Sequence, residues 1–372
     1  MKQWIRRVAA ATGIWALSFC MGCDGFFVKP ASTGGGSTTS GNYVYVANAT
    51  TETLVGFVVG TGTLTPLTNS NFDLKFVPTA VAVNPANSIL FVAGSGLIYA
   101  FSIQSGGQLS VLNNGNAVAV ATVASMDISP DGNWLFALDQ NGITLDEFQI
   151  NSTSGLLAQA TGASYTVSGA TIKPRAVKVA PNGAYVFVAL GTAGDLVFPF
   201  NTSTGTVSTP LLLSLPSGTS DNALAVSPNG SYLYVARSGS PGGLAVYSIG
   251  TGGSLTAVSG SPFAAGNDPF SVVVNNAGTD VYVANQLDST ISGYAVASNG
   301  TLTALSGSPY ANGSAVSALA TDRTGAYLLA VAGAGSPDLT MYSFGTAGTL
   351  NSVTSTSTGT DPTGPVALAT TH

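Results

Sequence analysis

Apolar and polar positions alternate with a period of two over short stretches along most of the chain, and the alternation itself recurs. The clearest copies are residues 223–236 (ALAVSPNGSYLYVA) and 176–189 (AVKVAPNGAYVFVA). Residues 272–284 (VVVNNAGTDVYVA) and 81–93 (VAVNPANSILFVA) follow the same plan, and residues 126–138 and 318–331 keep the register with weaker matches. Each unit reads as a strand, a tight turn, a second strand ending in Val-Ala or its equivalent, and two weaker strands. Equivalent second-strand ends fall at Ala47, Ala93, Leu138, Ala189, Ala236, Ala284 and Val331, spaced by 45 to 51 residues. Four short strands repeated at that period predict the blades of a β-propeller. The 330 residues from 43 to 372 divide into seven such units.

The two ends of this region complete one another. Residues 42–47 (NYVYVA) are a second strand without its first, and residues 362–369 (PTGPVALA) are a first strand without its second. Pairing them makes one blade and removes the open seam of the ring, along with its unpaired backbone edges. The expectation is an all-β protein: a seven-bladed β-propeller of four-stranded blades over residues 43–372. Its ring is closed by pairing of the C-terminal strand with the N-terminal strands.

Composition sharpens this reading. Charged residues are only 7% of the chain and glycines number 46. Helix surfaces need Lys, Glu and Arg, so the deficit disfavours helices. The pairs Asp131-Gly132, Asn182-Gly183 and Asn229-Gly230 could suggest a metal or catalytic series. Their place between the first two strands of a unit assigns them instead to turns that need positive φ. The net charge of −6 includes three bases, Lys2, Arg6 and Arg7, at the extreme N-terminus. The remaining acidic excess argues against nucleic-acid partners and against peripheral binding to anionic lipid.

Residues 1–23 have the form of a bacterial secretory signal: a basic start, a 12-residue apolar stretch at 8–19, then Leu17-Ser18-Phe19-Cys20-Met21-Gly22-Cys23. A small residue directly before a cysteine resembles a lipoprotein cleavage box, which makes Cys23 the expected lipidation site and Cys20 the alternative. Residues 24–42 read as a Gly/Ser/Thr-rich tether. The chain is therefore expected to be exported to the periplasm or cell surface, touching the membrane only through its lipid anchor. Both cysteines lie in the signal segment, so the propeller can hold no disulfide, thiolate metal site or cysteine nucleophile. The one histidine is His372. No catalytic triad and no histidine zinc or iron site can be built from internal residues, and no metal or cofactor is expected.

In an up-and-down blade the loops alternate between two faces. The Asn-Gly-like turns mark one. The other carries the interblade connections and the loops after the Val-Ala ends, and it surrounds a channel mouth, the usual place for a propeller site. Polar residues on this mouth face are Asn48, Asp139, Lys173, Arg175, Asp221, Arg237, Asp268, Asn285 and Asp361. Asn48, Asp139, Arg175, Asp221, Arg237, Asn285 and Asp361 are the candidate ligand-binding set. Arg175 and Arg237, in consecutive blades, could clamp an anionic group. With Asp268 as a base, these two arginines are the candidate catalytic set. The competing reading is that these charges cap strand ends and pair with one another.

Residues 284–294 (ANQLDSTISGY), 300–310 (GTLTALSGSPY) and 253–263 (GSLTAVSGSPF) resemble the lactonase-family seven-bladed propellers, which include 6-phosphogluconolactonases and a muconate-cyclising relative. Tyr45-Val46-Ala47-Asn48 and Tyr282-Val283-Ala284-Asn285 resemble the Tyr-Val-Thr-Asn repeats of microbial surface propellers. The first resemblance implies the propeller fold and lactone chemistry. Where the active family has Pro-Arg-His and Asn-Glu-Leu, this chain has Pro269-Phe270-Ser271 and Asn285-Gln286-Leu287. The implied functions are a divergent or non-catalytic propeller that binds a small ligand or an envelope protein at its mouth, a lactone hydrolase with a relocated site, or a cell-surface scaffold. In each case a monomer is expected. Metabolic palmitate labelling tests the anchor: the label should vanish in Cys23→Ala and persist in Cys20→Ala.

Overall fold

A computed structural model of the chain describes residues 41–160, 162–167, 171–334, 336–359 and 365–372. Cys20, Cys23, the tether to residue 40 and Asp361 lie outside the described residues. Seven antiparallel sheets follow one another in sequence order. The first blade uses residues 43–73 and 365–370, and the others span 78–120, 123–164, 176–213, 219–257, 269–311 and 316–356. Each is a four-stranded blade. In four of them an extra two- or three-residue segment adds to the third strand beside an abbreviated outer strand. In the second blade, for example, Leu109–Val111 and Ala119–Val120 both pair with Leu97–Ile103. The ring closes as the sequence predicts: Pro365–Thr370 pairs antiparallel with Tyr43–Asn48. The Tyr43 amide also donates to Thr371 Oγ1 at 2.9 Å.

Second strands are the most buried parts of the chain. Tyr43–Asn48, Ile89–Gly94, Trp134–Asp139 and Asp280–Asn285 are buried at every position. Their period-two alternation sends successive side chains to the two neighbouring blades. The apolar clusters accordingly lie between blades. Phe91, Ile98 and Ala100 meet Leu135 and Phe148 across the second and third blades. Tyr282, Ala284 and Ile291 meet Leu319, Leu328 and Tyr342 across the sixth and seventh. Val44 and Phe57 meet Leu329 and Met341 across the closing seam.

The turns between first and second strands follow the sequence expectation. Gly132, Gly183 and Gly230 take φ of 74°, 68° and 70°. A side-chain oxygen before the turn caps the next strand: Ser129 Oγ accepts from the Trp134 amide at 3.0 Å, and Asn84 Oδ1 accepts from the Ile89 amide at 2.9 Å. On the same face a second regularity holds the blades together. The hairpin turn joining the third and fourth strands carries a positive-φ glycine in every blade: Gly62, Gly107, Gly155, Gly205, Gly253, Gly300 and Gly348. Each turn rests on the second strand of the preceding blade. A Cβ on Gly205 would lie 2.0 Å from the Trp134 ring, and Trp134 Nε1 donates to Thr202 O at 2.9 Å in the same turn. Tyr45 OH donates to Gly107 O at 2.7 Å, Tyr282 OH to Gly348 O at 2.6 Å, and Tyr327 OH accepts from the Gly62 amide at 3.0 Å. At Gly107, Gly205, Gly253 and Gly300 glycine is required twice over, by backbone sign and by the aromatic ring beside it.

One polar side chain breaks the apolar pattern. Glu147, on Thr144–Ile150, is wholly buried, pairs across from Phe136, and has no partner for either carboxylate oxygen. Burial raises its pKa from 4.5 to about 7. A carboxyl raised in the folded state stabilises the fold below its unfolded pKa, and that contribution is lost as pH rises through the folded value. Glu147→Gln should therefore remove a fall in stability between pH 4.5 and about 7, worth roughly 3 kcal/mol for a shift of this size. Urea unfolding at pH 4.5, 6 and 8 checks it. The variant should be the more stable protein at pH 8 and should show the flatter profile.

Candidate functional site

The polar residues on the mouth face fall into three groups. The first is structural at the loop bases. Asn48 is fully buried, and its side chain meets Thr53 Oγ1 and Thr358 O, each at 3.3 Å. Thr358 in turn donates through its amide and its hydroxyl to Asp338, at 2.6 and 2.8 Å. Asp139 accepts from the Thr122 hydroxyl and from the Asn141 amide at 3.1 Å, capping the loop that follows its strand. Asn285 is fully buried: Oδ1 accepts from the Gly266 amide at 3.0 Å, and Nδ2 donates to Thr290 Oγ1 and Ser292 Oγ at 3.0 and 2.9 Å. These three side chains fasten loops to strands.

The second group is exposed. Lys173 and Arg175 precede the inner strand of the fourth blade, and their backbone amides donate to Leu190 O and Ala189 O. The Arg175 side chain makes no hydrogen bond with the described residues and lies outside the depression described next.

The third group is a buried charge cluster. Asp221 and Arg237 face each other in register across Thr219–Val226 and Tyr232–Gly239. Arg237 Nε and Nη2 donate to Asp221 Oδ1 and Oδ2 at 2.6 and 2.7 Å, and Nη2 also donates to Tyr247 OH at 3.0 Å. Both partners are almost wholly buried, at 2% and 0% exposure. Beside them stands Asp195, 1% exposed and receiving no hydrogen bond. Burial, then the neighbouring Asp221 carboxylate, pushes the Asp195 carboxyl well above the usual carboxylate range, against a smaller opposing pull from Arg237. Asp195 thus sits against Asp221 with its charged form strongly disfavoured. The cluster holds two carboxyls and one guanidinium, and the guanidinium is paired with only one of them, Asp221.

Arg237 also lines a depression of about 740 Å³ between the fifth and sixth blades, with Gly239, Gly242, Gly243, residues 264–269, Leu287 and Asp288. Among the lining residues Asp268 stands out. It has left-handed backbone geometry, φ 53°, and is half-buried, and its carboxylate has no hydrogen-bond partner among the described residues. Its carbonyl accepts from the Gln286 amide at 2.9 Å. Asp288 is committed differently: it accepts from the Asn267 amide and side chain at 2.7 Å each, which holds its carboxyl below the usual range. Gly266 is required here, because a Cβ would fall 2.6 Å from Asp288 and 2.7 Å from Asn285. The structure therefore brings Arg237 and Asp268 to one depression, with Asp221 behind and Asn285 beneath. Asn48, Asp139 and Arg175 stand elsewhere on the face. Asp195, Tyr247 and Asp288 were not selected from the sequence. Asp195 opens the third strand of its blade after a Gly-rich loop, where nothing in the pattern separates it from a turn residue. His372 docks at the opposite face, its amide donating to Asn87 Oδ1 at 2.7 Å and its Nε2 facing Val83 O at 3.1 Å, and burial lowers its pKa. Among the described residues no cluster of His, Cys, Asp or Glu could hold a metal ion.

The model of one family, the seven-bladed lactonase β-propellers, matches residues 174–316, which run from the fourth blade to the start of the seventh. The match is confined to these blades, and the depression lies within them. No curated protein matches the chain. Similar solved structures include a provisionally assigned 6-phosphogluconolactonase from Bacteroides fragilis, at 17% identity, covering 91% of this chain and all of that one, with a TM-score of 0.71. A protein from Lactobacillus plantarum is 19% identical, covering 89% of this chain and all of that one, at a TM-score of 0.71. A periplasmic gluconolactonase from Pseudomonas aeruginosa is 16% identical, covering 90% and 99% of the two chains, at a TM-score of 0.65. At these identities the likeness is one of fold.

Replacing Arg237 by Met would leave Asp221 and Asp195 buried side by side without their cation. Losing one partner of a buried pair costs about 3–5 kcal/mol. Urea unfolding of Arg237→Met at pH 7 should show a loss of that size, and the deficit should shrink toward pH 4 as the stranded carboxyl takes up a proton.

Proposed function

We propose that the depression between the fifth and sixth blades binds a neutral, polyhydroxylated sugar lactone, in a lactonase-type propeller exported to the cell envelope and anchored there by lipid. The observation that carries this reading is the pairing of Arg237 with Asp268 on one concavity inside the blades that bear the lactonase signature. Arg237 Nη1 makes no hydrogen bond among the described residues and suits a lactone carbonyl oxygen. The unpartnered Asp268 carboxylate suits sugar hydroxyls. Charge chooses the form of the ligand. Asp221 already balances Arg237, while Asp268 and Asp288 remain, so the concavity carries surplus negative charge. A phosphorylated or ring-opened, carboxylate-bearing ligand would be repelled, whereas a neutral lactone would not. The absence of the Pro-Arg-His motif at residues 269–271 agrees, since Phe270 offers nothing to a phosphate.

A second reading is favoured by Asp268 itself. A carboxylate without a partner, held in a sparsely populated backbone region at a concave site, is suited to draw a proton from water attacking the lactone carbonyl. The product, a hydroxy-carboxylate, would then be expelled by the same negative surplus.

Isothermal titration calorimetry with gluconolactam, a hydrolysis-resistant mimic, and with 6-phosphogluconate separates these ideas. The lactam should bind and the phosphorylated acid should not; the reverse order would overturn the proposal. A pH-stat assay with gluconolactone, corrected for spontaneous opening, tests hydrolysis. If Asp268 is the base, Asp268→Asn should lower kcat by about 100-fold or more while lactam binding falls far less.

A further inference from the structure

We infer that the wedge between the first and second blades is a separate binding site for a neutral saccharide ring. Radial sheets diverge toward the rim, so the outer part of each interblade space must be filled by bulky side chains or left open. Here it is only partly filled. A concavity of about 520 Å³ remains, lined by four aromatic residues, Phe72, Phe76, Tyr99 and Phe101. This lies within the usual range for a small-molecule site. Phe76 and Tyr99 stack with centroids 4.6 Å apart and planes 17° apart, and Phe72 meets Phe101 edge-on at 5.0 Å. The Phe76–Tyr99 stack forms a preorganised flat shelf, while Phe101, packed against Phe72, is itself buried.

The wall is open for a local reason. The outer strand of the second blade stops at Val111, turns through Asn113–Gly115, and resumes pairing only at Ala119–Val120. A Cβ on Gly115, at the rim, would meet nothing within 4 Å.

Three features select the ligand. Tyr99 is half-buried, and its hydroxyl makes no hydrogen bond among the described residues. The groove's charged residues, Asp73 and Lys75, are ion-paired with each other at the exposed rim and leave no net charge to attract an ion. Asn116 and Ser95 add hydrogen-bonding groups at the edge of the shelf. An apolar face to lie on aromatic rings, hydroxyls around the perimeter and no charge together describe a pyranoside. A purely apolar ligand would leave the Tyr99 hydroxyl and the polar rim unpaired. The wedge belongs to the first two blades, and the lactone depression to the fifth and sixth, so the two sites are tested independently.

The full chain is titrated with maltose, cellobiose and diacetylchitobiose by calorimetry and by saturation-transfer NMR. At least one sugar should bind saturably, with saturation transfer to its ring C–H protons. Tyr99→Ala should weaken binding by tenfold or more. Tyr99→Phe, which keeps the ring and its packing, should weaken it by about two- to tenfold, the range expected for one hydrogen bond. Gluconolactam binding at the other depression should be unchanged in both variants. The proposal is overturned if none of the sugars binds saturably up to its solubility, or if binding survives undiminished in Tyr99→Phe and in a folded Tyr99→Ala.

Discussion

Seven times around the ring, an outer-hairpin turn with a positive-φ glycine lies against the second strand of the blade before it. This contact sets the spacing and tilt of the blades, and the rest of the structure depends on it. A glycine that cannot be replaced without striking Trp134 or Tyr232 fixes how closely adjacent sheets approach. The tyrosine hydroxyls that reach backbone carbonyls in the same turns fix their relative height. Above this layer the interblade clusters fill with Val, Leu, Ile and Phe at ordinary packing density. The contacts sit on the face of the Asn-Gly-like turns, at the far end of the blades from the depression between the fifth and sixth blades. Mouth-face loops can therefore vary in length and chemistry without disturbing how the blades are held.

Much of the fold was legible in the sequence for the same reason. The second strands repeat with a fixed register because each must bury both faces, and burial on both faces leaves a strong pattern. The closing seam was legible too, because half-units at the two ends had only each other to complete them. The glycine–aromatic contacts were not. The glycines sit in weak outer hairpins, and their partners lie in a different repeat some 70 residues earlier, as Trp134 and Gly205 do. The site was legible only as a face. Loop residues selected there by charge divided, in three dimensions, into loop-fastening side chains, exposed cations and a buried cluster. Strand position alone carries no record of which neighbour will meet a side chain. Glu147 shows the limit most plainly: its place in TLDEFQI looks like a solvent-facing position, and the fourth blade covers it.

The cluster of Asp195, Asp221, Arg237 and Tyr247 is an expensive way to hold one arginine. Removing charges from water costs several kcal/mol per ion, and mutual attraction offsets it only where geometry is good. Here the geometry is bidentate, and burial holds the adjoining Asp195 carboxyl well above the usual carboxylate range. Arg237 is left with two of its nitrogens committed and very little rotational freedom. A guanidinium fixed in this way loses little entropy on meeting a ligand, the kind of preorganisation that raises affinity without new contacts.

The seam has a kinetic meaning as well. Tyr43 and Thr371, hydrogen-bonded in the closed ring, are 328 residues apart along the chain. Blades two to seven each assemble from adjacent hairpins and meet neighbours that are near in sequence. Only the first blade must wait for a strand from the far end. Its entropic cost grows slowly with loop length, but long-range pairing is slow. Until Pro365–Thr370 docks, the Tyr43–Asn48 strand has an unpaired edge. During that interval the strand at Tyr43–Asn48 is a template that any extended chain could occupy. The time the C-terminal strand takes to arrive, more than the stability of the finished ring, sets how often a wrong strand pairs first.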